Sequence, residues 1–139
     1  MYKNNLLNIR YVKGNTFVGV SCDSQKFCDF DSIAYCVRAA LVIISQYRRH
    51  GKKTIEEIIT TWAPPSENKT SKYISFVCDR LNYHKGTEIS VYKPVQLYML
   101  LQAMCKMETG AFLYHADFDE GYRMFAESRP DLFAIGKLS

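Results

Sequence analysis

No stretch of the sequence is apolar for long enough to cross a bilayer. The longest such run extends only from Ala39 to Ile44, against the roughly 20 residues a spanning helix needs, so no membrane partner is expected. The opening Met1-Tyr2-Lys3-Asn4-Asn5 is polar and no apolar signal-peptide core follows it. The chain is therefore expected to be cytoplasmic as synthesised, and any action at a cell wall or in a virion needs delivery by something else. None of the five cysteines (Cys22, Cys28, Cys36, Cys78 and Cys105) pairs as C-x-x-C, and His50, His84 and His115 have no ligand spacing with them. That argues against zinc, and neither a metal nor an organic cofactor is expected. An odd cysteine count is most simply explained by buried thiols from a reducing compartment, with a Cys22–Cys28 bridge as the alternative. There is no glycine-rich phosphate loop and no RNA-binding signature, so nucleic acid is not an expected partner. No Ser, His and Asp grouping stands out, and the cysteines and histidines offer too many accidental pairings for a Cys–His nucleophile to carry weight.

What is present fits one domain. A chain of 139 residues should bury roughly two-thirds of the surface its unfolded form exposes, enough to fold without staples. Hydrophobic residues make up 47% and aromatics 14%, which excludes a disordered chain. The net charge of +4 suits an anionic partner such as a cell-wall polymer, or simply a mildly basic surface. Its one dense basic cluster, Arg48-Arg49-His50-Gly51-Lys52-Lys53, reads first as a solvated helix end, where cations favour the dipole, and second as a polymer contact. No internal repeat, low-complexity stretch or linker interrupts the chain.

The spacing predicts a β-hairpin over 6–20, with Asn8 to Val12 and Thr16 to Val20 flanking Lys13-Gly14-Asn15. A further short strand is expected at Phe27 to Phe30. Helices are expected at about 32–50, 54–62, 70–82, 94–109 and 117–127, with a last turn after Pro130. Asp31 or Ser32 caps the first helix, and Gly51 closes it. Thr54-Ile55-Glu56-Glu57 is a capping-box pattern opening the second, which stops before Pro64-Pro65. Pro94 suits a first helical turn, and Asp117 with Glu120 three residues on suits a cap. The apolar stripes are Ile33, Val37, Ala40, Leu41, Ile44 and Tyr47; Ile55, Ile58 and Ile59; Tyr73, Ile74, Val77 and Leu81; and Leu97, Leu100, Leu101 and Met104.

Among the polar residues, carboxylates are the most informative. Glu108 ends an apolar helix, in Ala103-Met104-Cys105-Lys106-Met107-Glu108-Thr109-Gly110. An acid half-buried at such a place keeps its proton more readily, because desolvation disfavours the charged form. Cleavage of a glycosidic bond by a general acid requires that state. Against this stands the plainer reading of an exposed helix-end Glu. Glu67, after two prolines and before Asn68 and Thr70, is the second catalytic candidate, or a side chain serving the start of the third helix. Trp62 is a core plug or a sugar platform. Asn5, Asn8, Arg10 and Tyr11 offer amides, a guanidinium and a ring that could hydrogen-bond and stack on a glycan, or serve only the turn chemistry of the hairpin.

Several motifs carry a resemblance. Asn4-Asn5-Leu6-Leu7-Asn8-Ile9-Arg10 resembles the N-N-P-x-N-I-R opening of a phage and prophage family often labelled as virion structural proteins. Phe27-Cys28-Asp29-Phe30-Asp31-Ser32 with Tyr35-Cys36-Val37-Arg38-Ala39 is similar to its F-x-x-F-x-S-x-x-Y-G-x-R-A. Thr54 to Thr70 with Tyr73 is similar to its T-I-x-x-I-I-x-x-W-A-P-P-x-E-N-x-T-x-x-Y. Leu7 stands for the usual Pro and Cys36 for the usual Gly. A more distant similarity is to glucosaminidases and lytic transglycosylases, which place a catalytic Glu in V-E-S-G at a helix end, ahead of a hairpin and further helices. Here Met107-Glu108-Thr109-Gly110 comes last, the order of a circular permutation. The resemblance implies an α+β, mainly α, lysozyme-like domain over residues 1–139 with one small hairpin sheet. It also implies peptidoglycan, or another anionic cell-wall glycan, as substrate. Glu108 would be the general acid, and Glu67, Asn5, Asn8, Arg10, Tyr11, Trp62, Asn68 and Tyr73 would line the cleft. A missing second carboxylate would suit a transglycosylase. The same family implies a non-catalytic virion or wall-binding module, with other virion proteins as partners, as the alternative.

Overall fold

The structure, a computed structural model, describes residues 2–12, 17–22, 26–66 and 69–133, with the side chain of Cys22 excepted. It is mainly helical, with one small two-stranded antiparallel sheet, and so belongs to the α+β class dominated by helix, as the hydrophobic periodicity implies. Strands β1 (Val20–Cys22) and β2 (Asp29–Phe30) precede helices α1 (Ile33–Arg49), α2 (Ile55–Trp62), α3 (Thr70–Leu81), α4 (Pro94–Thr109), α5 (His115–Glu127) and α6 (Pro130–Phe133). Val20 pairs with Phe30 and Cys22 with Asp29, an irregular register across one extra residue. The chain divides into two compact units, one made of Met1–Val42 and Leu113–Ser139, the other of Ile43–Phe112.

In the first unit, the amino-terminal segment folds differently from the expected hairpin. Its turn at 13–16 lies outside the described residues, but the strand before it takes its backbone bonds from 26–28. Tyr11 N–H donates to Lys26 C=O at 3.0 Å, Cys28 N–H donates to Ile9 C=O at 3.0 Å, and Arg10 bridges Phe27. The cause is Asn5, which is fully buried. Its Nδ2 donates to the carbonyls of Ile9 and Cys28, each at 2.9 Å, and its Oδ1 accepts from Ile9 N–H at 2.9 Å. One amide thus joins two backbone segments that a turn signal alone cannot match. Cys36, in place of the glycine of the resembling motif, turns its thiol to the same Asn5 Oδ1 at 3.8 Å, and burial pushes that thiol up to about 12. Cys28, Cys36, Cys78 and Cys105 are thiols, so the Cys22–Cys28 bridge is not formed.

Helix α1 opens where Ser32 Oγ accepts from Tyr35 N–H at 3.4 Å, the cap its position suggests. Its Val37, Ala40 and Leu41 are buried. Helix α5 lies so close to α1 that a Cβ on Gly121 would stand 2.5 Å from Val37 Cγ1 and 2.7 Å from Ala34 C=O. Here the absent side chain permits the approach. Helix α5 begins at His115 rather than at Asp117, with Tyr114 as N-cap and no side-chain cap bond. His115 Nδ1 and Asp119 Oδ2 lie 2.8 Å apart, and Glu120, expected to complete a cap, instead pairs with Arg123. Phe133 of α6 meets Tyr122 and Phe125 edge-on, at 6.1 and 5.8 Å between centroids.

The second unit combines local capping at its helix ends with backbone bonds from the start of α2 to 85–87. The end of α1 closes as a Schellman motif, with Lys52 N–H bonded to Tyr47 C=O, Gly51 N–H bonded to Arg48 C=O, and Gly51 at φ 83°. Each of the four amide donors at the start of α2 has a partner. Ile55 N–H donates to Thr87 C=O, Glu56 N–H to Lys85 C=O, Glu57 N–H to Thr54 Oγ1 and Ile58 N–H to Thr54 C=O. The Glu57 carboxylate completes the capping box. Ile55, Ile58 and Ile59 of α2, Val77 and Leu81 of α3, and Leu97, Leu100, Leu101 and Met104 of α4 are all buried, and α3 packs on both α2 and α4.

Candidate functional site

Two of the residues singled out in the sequence meet in the second unit. Helix α3 is seated by Thr70, a buried residue whose hydroxyl donates to Ala63 C=O just past α2. One turn on, Tyr73 lies on the same buried stripe, only 5% exposed. In α4, Ala103, Met104 and Cys105 are buried, and the helix ends at Gly110, whose N–H donates to Lys106 C=O. Glu108 stands in that last turn, half-buried. The Tyr73 hydroxyl donates to Glu108 Oε2 at 3.0 Å.

The electrostatics make this pair one-directional. Burial, and then the Glu108 carboxylate beside it, push the Tyr73 phenol far above its ordinary range. Tyr73 therefore acts toward the Glu108 carboxylate as a donor. A carboxyl group whose orientation is fixed by a buried phenol, at the end of an apolar helix, is suited to moving a single proton at a defined position.

The remaining candidates take other roles or lie elsewhere. Glu67 and Asn68 fall outside the described residues. Asn5, expected to contact a glycan, is buried with its amide spent on the backbone bonds described above, so it holds the fold and presents nothing to a ligand. Asn8 is half-buried in the left-handed region at φ 52°. Arg10 is exposed, its guanidinium carbon 5.6 Å from the Phe27 ring centroid, and Lys26 Nζ stands 5.3 Å from the same centroid. Tyr11 and Trp62 are half-buried, Trp62 as the last residue of α2. Asn8, Arg10 and Tyr11 belong to the first unit, and Trp62, Tyr73 and Glu108 to the second. In the basic cluster, Arg48 Nη1 donates to Ile89 C=O, which makes that side chain a brace between α1 and the loop before α4.

The Tyr73–Glu108 contact was not legible beforehand, because 35 residues separate the partners. A second cluster, Arg80, Gln102, Lys106 and Phe112, carried one weak sequence signal, the four-residue spacing of Gln102 and Lys106 along one helix face.

Fold and site together define a mainly helical α+β protein carrying a glutamate held by a buried tyrosine. No family model matches the chain. It is similar to Protein P5 of Pseudoalteromonas phage PM2, with 32% identity over an alignment of 94 residues that covers 66% of this chain and 56% of that protein. The match thus spans little more than half of the relative's length. It agrees with the resemblance to phage proteins and bears on neither the individual motifs nor the lysozyme-like relation.

Proposed function

We propose that this chain cleaves the glycan strands of peptidoglycan for a phage or prophage, as a hydrolase or lytic transglycosylase, and that Glu108 is its general acid. The reading takes the chain as a lysozyme-like domain in circularly permuted order. The observation that carries it is the 3.0 Å bond from the Tyr73 hydroxyl to Glu108 Oε2 at the end of an apolar helix. Protonated Glu108 gives its proton to the glycosidic oxygen as the bond to the anomeric carbon breaks. The phenol, which donates to Oε2, holds the resulting carboxylate in place. In a transglycosylase the substrate's own hydroxyl closes on the anomeric carbon and returns its proton to Glu108, so no second carboxylate is required. Within the second unit, Trp62 and Asn68 remain candidates for holding the glycan, and Glu67 for a second catalytic group.

The test is lysis of purified peptidoglycan in a zymogram. Glu108→Gln should abolish clearing while leaving the unfolding midpoint near that of the parent, and full activity in that variant sinks the assignment. Tyr73→Phe should lower the rate about ten-fold, since a hydrogen bond to a charged group contributes about 1.5 kcal/mol or more.

The similarity to a phage protein favours a second reading, a non-catalytic virion structural or wall-binding module that contacts other virion proteins or the wall polymer. A chain that sediments with insoluble wall material but clears no zymogram supports that reading over the first.

A further inference from the structure

We propose that the second unit carries a separate pocket for a carboxylate, and that its ligand is the acidic peptide attached to the wall glycan; the choice of ligand rests on the glycan-cleaving reading. The pocket has a volume of about 140 Å³ and is lined by Arg80 of α3, Gln102, Lys106 and Gly110 along one face of the end of α4, and Ala111 and Phe112 just beyond it. Its two charged side chains are both positive, and neither makes an ion pair among the described residues. The Arg80 guanidinium carbon lies 4.9 Å from the centroid of the Phe76 ring. A cation–π contact takes none of the five guanidinium donors, which form the fork that matches a carboxylate. Lys106 adds a second positive charge, and the amide of Gln102 is held in place by the Tyr98 hydroxyl at 3.0 Å.

Size and lining choose among anions. Sites for whole drug-sized ligands run from about 300 Å³ upward, so this pocket takes the tip of a ligand rather than a run of sugar rings. Phe112, 62% exposed, gives it an apolar wall that suits a carboxylate borne on an aliphatic group. Peptides of the bacterial wall carry that chemistry, as free carboxylates on short aliphatic residues beside the glycan.

The experiment uses the full chain and a synthetic γ-glutamyl tripeptide with free carboxylates, alongside the same tripeptide fully amidated and an α-linked triglutamate. Binding is followed by calorimetry and by amide chemical shifts. The free-acid tripeptide should bind and move the resonances of Lys106 to Phe112. Amidation should weaken binding at least ten-fold, and so should Arg80→Gln with Lys106→Gln. Equal binding of acid and amide, undiminished binding in the double variant, or no binding by the parent chain overturns the pocket. Equal or tighter binding of triglutamate overturns the wall peptide as ligand in favour of an acidic protein segment. Glu108→Gln should bind the tripeptide as the parent does. A parent chain that binds tripeptide but clears no wall removes the glycosidase and leaves the pocket, and one that clears wall without binding tripeptide does the reverse.

Discussion

The two units of this molecule are held by different kinds of chemistry. In Ile43–Phe112, the side-chain cap and the helix-closing bonds stay within a turn of the helix ends, Thr54 with Glu57, Tyr47 with Lys52 and Lys106 with Gly110, while the first two amides of α2 reach Thr87 and Lys85. In the unit formed by Met1–Val42 and Leu113–Ser139, the decisive bonds join distant parts of the chain. Asn5 reaches Cys28 across 23 residues, and Asn4 Nδ2 reaches Phe30 C=O across 26. Local bonds form cooperatively with the helix they serve, whereas long-range ones must first bear the entropy of closing a loop. The first unit is therefore expected to depend steeply on single side chains, the second to spread its dependence over many.

Asn5→Ala tests that contrast most severely. It takes from Ile9 N–H its buried acceptor and removes the bonds from Asn5 Nδ2 to the carbonyls of Ile9 and Cys28, the first of which keeps its bond from Cys28 N–H. At about 1–3 kcal/mol for the stranded donor and about 1 kcal/mol for each of the two bonds lost to carbonyls, the expected loss is about 3 kcal/mol in urea unfolding. A loss below about 1 kcal/mol would erase the contrast. Gly121→Ala should do less. The new methyl would stand 2.5 Å from Val37 Cγ1, an overpacking that costs about 1–3 kcal/mol, while the better helix propensity of alanine returns about 1 kcal/mol. A net destabilisation of about 1 kcal/mol is expected, and a stabilised variant would mean that α5 yields freely against α1.

The same division decides what could be read from sequence. The capping box at Thr54 and Glu57, the closing glycine at 51, the proline at the first turn of α4 and the stripe Leu97, Leu100, Leu101 and Met104 each depend on neighbours at helical spacing, and each appears as such in the structure. The mainly helical α+β class followed from those signals. The strand partner of Asn8 to Val12 did not, because a turn signal shows where a chain reverses and not which later segment it meets. Asn5 looked like a ligand contact because an asparagine near a turn is polar; nothing local reveals that three backbone groups surround it. Asp117 and Glu120 satisfied a capping pattern, yet Glu120 finds Arg123 one turn on and α5 starts earlier. For the site, Glu108 stands out from its own helix end, whereas Tyr73 reads locally as a core residue and enters the cleft only through the resemblance; their meeting is a tertiary fact. Arg80 and Lys106 carry no local signal of a shared pocket, since a single cation on a helix most often faces water.

The smallest effect belongs to the second unit and concerns its best-defined local device. Glu57 Oε1 accepts from Lys53 N–H, Thr54 N–H and the Thr54 hydroxyl, each at 3.1 Å. Those bonds, the backbone ones first, hold its carboxyl below the ordinary carboxylate range. A carboxyl with a lowered folded-state pKa contributes stability that is fully present above its unfolded value and is lost as pH falls through the folded one. Glu57→Gln retains an acceptor oxygen, so the capping box survives, but it removes the titration. The stability difference between parent and variant should thus be greatest near neutrality and shrink progressively on acidification, through and below the usual carboxylate range. Urea midpoints measured from pH 7 to pH 3 check this. A difference that stays constant across that interval would mean that the charge of Glu57 contributes nothing to the seating of α2, and that the amide donors at its first turn, together with the backbone carbonyls of 85–87, suffice.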